Sequence, residues 1–148
     1  MYTLDANIFV RDASPSDPEH ATCHALMAQL YQRNTAIIVP YLVLAEIAGA
    51  LSRSFRDPIR ARLEVELLRD LHHIQFVPLD ATVTQDAAEI AADRALRGAD
   101  AVYVAVARRY GCALVTLDRE PRERAASVVR TLTPAEALAE LGNVERKT

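Results

Sequence analysis

The chain has a single lysine, Lys147, no tryptophan, two cysteines and four glycines. Each scarcity excludes something. Cys23 and Cys112 are too few for a disulfide framework or a four-cysteine zinc site, and both lie in apolar stretches where a cysteine simply packs. Four isolated glycines leave no glycine-rich phosphate loop and no nucleophile elbow. Long apolar runs are also missing: Ala36 to Val39 and Leu42 to Leu51 are far too short to span a bilayer. Met1 leads into a strand-like segment without a basic signal region, so a soluble, cytoplasmic protein without membrane contact is expected. A net positive charge is lacking too, with 17 basic residues against 20 acidic ones and a formal charge of −3. Affinity for nucleic acid then has to come from a local patch of arginines, for which Arg11, Arg53, Arg56, Arg60, Arg94 and Arg97 are candidates, and from bound cations.

What is present is a chain of 148 residues, 51% hydrophobic, which fits one domain spanning 1–148. Strand-like segments occur at Met1 to Leu4, Ala36 to Val39, Ile74 to Val77, Ala113 to Leu117 and Val128 to Thr131. Helical patterns occupy about Pro18 to Arg33, Tyr41 to Ser52, Asp57 to Leu71, Asp80 to Arg97, Ala99 to Tyr110 and Pro134 to Leu141. Asp80 and Thr133 are expected N-caps, and Gly98 and Gly111 expected helix stops. Alternating helices and apolar strands predict a three-layer α/β/α sandwich around a central, mostly parallel sheet.

In such a fold the acidic residues converge. Asp5 and Asp118 follow strands. Glu46 and Asp100 sit in the first turns of helices whose N-termini lie at the same C-terminal sheet edge. Two full charges about 5 Å apart repel by roughly 3 kcal/mol at an effective dielectric near 20, so four carboxylates together call for protons or cations. Mg²⁺ or Mn²⁺ suits carboxylate oxygens better than zinc does. Taken singly, Asp5, Asp100 and Asp118 read as N-caps. Glu46 lies among Leu42, Val43, Leu44, Ile47 and Leu51 and needs either a cation or a partner such as Arg53 or Arg97.

The segments Leu4-Asp5-Ala6-Asn7-Ile8-Phe9-Val10, Val43-Leu44-Ala45-Glu46, Arg97-Gly98-Ala99-Asp100-Ala101 and Leu114-Val115-Thr116-Leu117-Asp118 resemble the PIN domain, in order and in spacing. The chain also has the size of the VapC-like toxin nucleases of type II toxin–antitoxin pairs. The resemblance implies a metal-binding, catalytic centre of Asp5, Glu46, Asp100 and Asp118, supported by Asn7, which orients Asp5, and by the Thr116 hydroxyl. It further implies a Mg²⁺- or Mn²⁺-dependent endoribonuclease with an RNA substrate, a cognate antitoxin and a homodimeric state. Ala6 departs from the hydroxyl residue often found at that position, and Glu120 is either a fifth ligand or a solvated side chain. The alternative is a catalytically inactive PIN-like interaction module whose acids bind a partner's arginines.

Other constellations are weaker. His20 and His24 stand four apart on a helix without a third zinc ligand. A phosphatase of the haloacid-dehalogenase kind needs an acid at position 7, which is Asn7, and a phosphorylation receiver needs a lysine after a late strand.

Overall fold

β1 (Tyr2–Leu4) is the middle strand of a five-stranded sheet of order β3-β2-β1-β4-β5 in the computed structural model, which describes residues 1–145. Lys147 lies outside the described residues. β2 (Ile37–Pro40), β3 (Ile74–Val77), β4 (Ala113–Val115) and β5 (Thr131–Leu132) complete the sheet, and every pairing is parallel. β1, β2 and β4 are buried at every position, as strands covered on both faces must be. β3 is an edge strand and leaves Gln75 exposed.

Eight helices flank the sheet among the described residues: α1 (Ala6–Asp12), α2 (His20–Gln32), α3 (Leu42–Phe55), α4 (Pro58–Arg69), α5 (Ala81–Arg94), α6 (Gly98–Tyr110), α7 (Arg119–Ala125) and α8 (Pro134–Glu145). α6 is buried from Ala101 through Ala107 without interruption, because it lies against β1, β2 and β4 on one side and α5 on another. Its run of alanines and valines permits that close approach on all sides. α1, α2, α3, α4 and α8 form the other connected group of helices.

The expected caps at Asp80 and Thr133 are present. Asp80 accepts from the Val83 N–H at 2.9 Å. Thr133 and Glu136 form a reciprocal capping box, with Glu136 N–H to Thr133 Oγ1 at 3.2 Å and Thr133 N–H to Glu136 at 2.7 Å. Gly111 stops α6 in the left-handed region, at φ 65°. Gly98, by contrast, closes nothing. α5 ends at Arg94, Ala95 takes the left-handed turn at φ 51°, and Gly98 opens α6. The last strand lies at Thr131–Leu132 rather than Val128 to Thr131, and β4 stops at Val115, short of Leu117.

Strand order fixes the site. The chain moves outward from β1 to β2 and β3, then returns through α5 and α6 to place β4 on the other flank of β1. The order therefore reverses between β1 and β4, and the crevice at the carboxyl ends of these two strands is where an open parallel sheet holds its ligands.

Candidate active site

The β1–β4 register pairs Leu4 with Val115, which brings the residues just beyond each strand side by side. Asp5 is tied down there by its own N–H to the Val115 carbonyl at 3.0 Å. Its Oδ2 accepts two bonds, from Asn7 Nδ2 at 2.9 Å and from the buried Thr116 hydroxyl at 2.6 Å. Thr116 Oγ1 in turn accepts from the Asp118 backbone N–H at 3.1 Å. One hydroxyl thus sets both the Asp5 carboxylate and the backbone that carries Asp118.

The other two acids come from helices. Glu46, in the second turn of α3, accepts a hydrogen bond on Oε2 from the hydroxyl of Tyr103 on α6. Asp100 stands one turn earlier on α6 than Tyr103 and so on the same face. Glu46 is half-buried rather than sealed in, since only Val43, Ile47 and Leu51 of α3 are buried. Its partner is the phenol and not Arg53 or Arg97. Tyr103 escaped the sequence reading, although it is the one long polar side chain within the alanine–valine stretch of α6 and falls three residues after Asp100.

The N-cap reading of the aspartates fails. Asp5 and Asp118 occupy the N-cap positions of α1 and α7, yet neither side chain caps its helix. Asp100 lies inside the first turn of α6, where Arg97 holds the cap position. These side chains are left for one another. Burial pushes the Asp5 carboxyl up to about 6 against the pull of the Thr116 hydroxyl, and the charges of Asp118, Asp100 and Glu46 push the same way. Glu46 is raised by burial and by Asp100, against the Tyr103 hydrogen bond. Asp100 is raised by burial, Asp118 and Glu120, with Arg97 opposing. Asp5, Glu46 and Asp100 are therefore coupled at this edge, and the charge of Asp118 acts on Asp5 and Asp100.

Their donor chemistry suits a hard divalent cation. The donors are carboxylate oxygens, and Asn7 Oδ1 is a buried acceptor with no partner at the same place. Among the described residues no three acidic, histidine or cysteine side chains stand close enough to ligate one ion as they are placed. Mg²⁺ does not require that, because it keeps several waters and takes one or two carboxylates directly. Glu120 is exposed and pairs with Arg124 at 3.0 Å. His24 bonds Asp12 at 2.8 Å and His20 the Arg11 carbonyl at 3.0 Å, so the two histidines are otherwise engaged.

A groove of about 770 Å³ lies between α1 and α3, lined by Asn7, Arg11, Glu46 and Arg53, and of the four acids only Glu46 reaches it. Residues 2–127 match the family model of the PIN domain. The chain belongs to the PIN domain family. Solved structures share the PIN fold at low identity. VapBC2 from Rickettsia felis, bound to a promoter DNA fragment, is 17% identical, with a TM-score of 0.69 over 89% of this chain and 97% of its own. VapC20 from Mycobacterium tuberculosis, a sarcin-ricin loop cleaving toxin, is 21% identical, with a TM-score of 0.69 over 82% and 92%. FitAcB from Neisseria gonorrhoeae is 20% identical, with a TM-score of 0.68 over 90% and 98%. No curated protein sequence matches the chain significantly. Among the described residues of this PIN chain, no helix is long and apolar enough to cross a membrane.

Proposed function

We propose that this single PIN-like domain is a divalent-metal-dependent endoribonuclease that hydrolyses RNA phosphodiester bonds, and that it is the toxin of a VapC-like toxin–antitoxin pair acting in the cytoplasm. The observation that carries the reading is the convergence at one sheet edge of Asp5, Glu46 and Asp100, which cap no helix and whose carboxyls are raised by burial first and by neighbouring acids second. Carboxylates gathered at such electrostatic cost need a cation to offset it. Mg²⁺ or Mn²⁺, when bound, supplies Lewis acidity toward a phosphoryl oxygen and lowers the pKa of water. Asp5, Glu46, Asp100 and Asp118 would hold it. Asn7 and Thr116 fix the direction of Asp5, Thr116 also fixes the start of α7, and Tyr103 fixes Glu46. No side chain here serves as a covalent nucleophile in this scheme.

The toxin assignment draws on the likeness to VapBC2, VapC20 and FitAcB. A cognate antitoxin is the proposed protein partner. Ile59, Leu63 and Leu67 support it, since they recur every fourth residue on α4 and are each more than half exposed. An amphipathic partner helix engages such a stripe. A homodimer is proposed from family resemblance.

Purified, antitoxin-free protein should cleave single-stranded RNA with Mg²⁺ or Mn²⁺ and stop on addition of EDTA. Inertness toward a total cellular RNA pool with either metal would instead favour a noncatalytic interaction module.

A further inference from the structure

We propose that the groove between α1 and α3 carries the RNA strand beyond the scissile phosphate, and that Arg53, seated over Gly49, grips a backbone phosphate there. The inference rests on the ribonuclease reading above. Glu46, Gly49 and Arg53 are spaced three, four and seven apart, so they share one face of α3, and all three line the groove. Seven residues of helix rise place Arg53 roughly 10 Å along α3 from Glu46. Its guanidinium reaches back over Gly49, about 5 Å of helix rise from Glu46, and so faces a phosphate next to the reacting one.

Gly49 eases the arginine's position there, since a Cβ would make this side chain give by a few tenths of an ångström. A Cβ at this position would meet Arg53 Nη1 at 3.2 Å, so the guanidinium rests against the bare helix backbone. Glycine within a helix is less stable than alanine, and at Gly49 that cost accompanies the seat it makes. Arg11, on the opposite wall, is already engaged by Asp17 at 2.5 Å. Arg53 takes part in none of the ion pairs of the described residues. A planar cationic fork suits a phosphodiester, and a chain of net charge −3 needs such local cations to hold nucleic acid. RNA is favoured over an acidic peptide because the groove takes in Glu46, beside which the cleaved phosphate must lie, and the strand has to leave that point somewhere.

The test uses a fluorescein-labelled single-stranded RNA of mixed sequence, bound with Ca²⁺ present and cleaved with Mn²⁺ present. Arg53→Gln should weaken binding about tenfold, the value of one charge-assisted contact. It should also flatten the dependence of log affinity on log salt by about 0.7. KM should rise while kcat holds. Arg69→Gln, which removes an exposed arginine of α4 paired with Glu66, controls for overall charge and should change neither measurement. Gly49→Ala should raise the melting temperature yet weaken RNA binding, and should add no loss in the Arg53→Gln background. Undiminished binding with an unchanged salt slope in Arg53→Gln, while the wild type cleaves, overturns the inference alone. A wild type that neither binds nor cuts the RNA overturns the ribonuclease reading and this inference with it.

Discussion

The hydroxyl of Thr116 donates to Asp5 Oδ2 at 2.6 Å across the junction of two strands whose residues lie 111 positions apart in sequence. Thr116→Val keeps the shape of this buried residue and removes the donor, and it also leaves the Asp118 N–H without its acceptor. Partners that orient metal ligands typically govern 10- to 100-fold in affinity or rate, so a loss of about that size in Mn²⁺ affinity and in cleavage is expected. Thr116→Ser should recover most of it. Titration of Mn²⁺ by electron paramagnetic resonance reads the binding directly.

Tyr103→Phe isolates the phenol in the same way. The ring is buried and its packing survives, so any fall in stability should stay near 1 kcal/mol, the usual worth of one hydrogen bond. Cleavage should fall more than stability does, because Glu46 loses the group that orients it. Equal cleavage by Tyr103→Phe and wild type would remove the phenol from the site's machinery.

Asp5 makes metal-free stability depend on pH with a definite sign. Its folded-state carboxyl titrates near 6, above the ordinary value of 3.8, so the protein favours the protonated form more than the unfolded chain does. The contribution is fully present below about pH 4 and is lost as pH rises through about 6, on the order of 2 to 3 kcal/mol for a shift of this size. Asp5→Asn should therefore melt higher than wild type at pH 7.5 in EDTA, with the gap closing at pH 4. The amide oxygen of asparagine can still accept from Asn7 and Thr116. A gap that persists unchanged at pH 4 would show that charge is not its origin.

Glu46→Gln and Asp100→Asn should be at least as stable as wild type without metal, since each relieves repulsion, while cleavage collapses. Mg²⁺ at 100 times its dissociation constant should then stabilise wild type by roughly 2.7 kcal/mol and either variant by less. Structural acids give the opposite pattern. Removing one partner of a buried ion pair costs about 3 to 5 kcal/mol, and both variants would melt early in EDTA.

The sequence displays some parts of this molecule better than others. Strands such as Ile74–Val77, and caps such as Asp80 and Thr133, are visible because apolar runs and capping side chains act locally. α1 is hidden because Asp5 alone separates β1 from α1, with no turn residue between them. α7 is hidden by Pro121 within a charged stretch, although proline is tolerated in the first turn of a helix. The stop at Ala95 could not be read, since a nonglycine residue in the left-handed region leaves no compositional trace, whereas Gly98 suggested a stop that tertiary packing did not use. In the candidate site, the convergence of the acids follows from strand and helix polarity alone. The Tyr103–Glu46 contact depends on how α3 and α6 meet across the sheet, which periodicity does not encode.

Because β1 finds its β4 neighbour only at Ala113–Val115, a growing chain has no acidic centre for most of its synthesis. Asp5, Glu46 and Asp100 all emerge before the strand that seats Asp5 and carries Asp118 to it. On the proposed ribonuclease reading, the ribosome making this protein, itself built of RNA, meets the assembled centre only once the chain through Asp118 has left the exit tunnel.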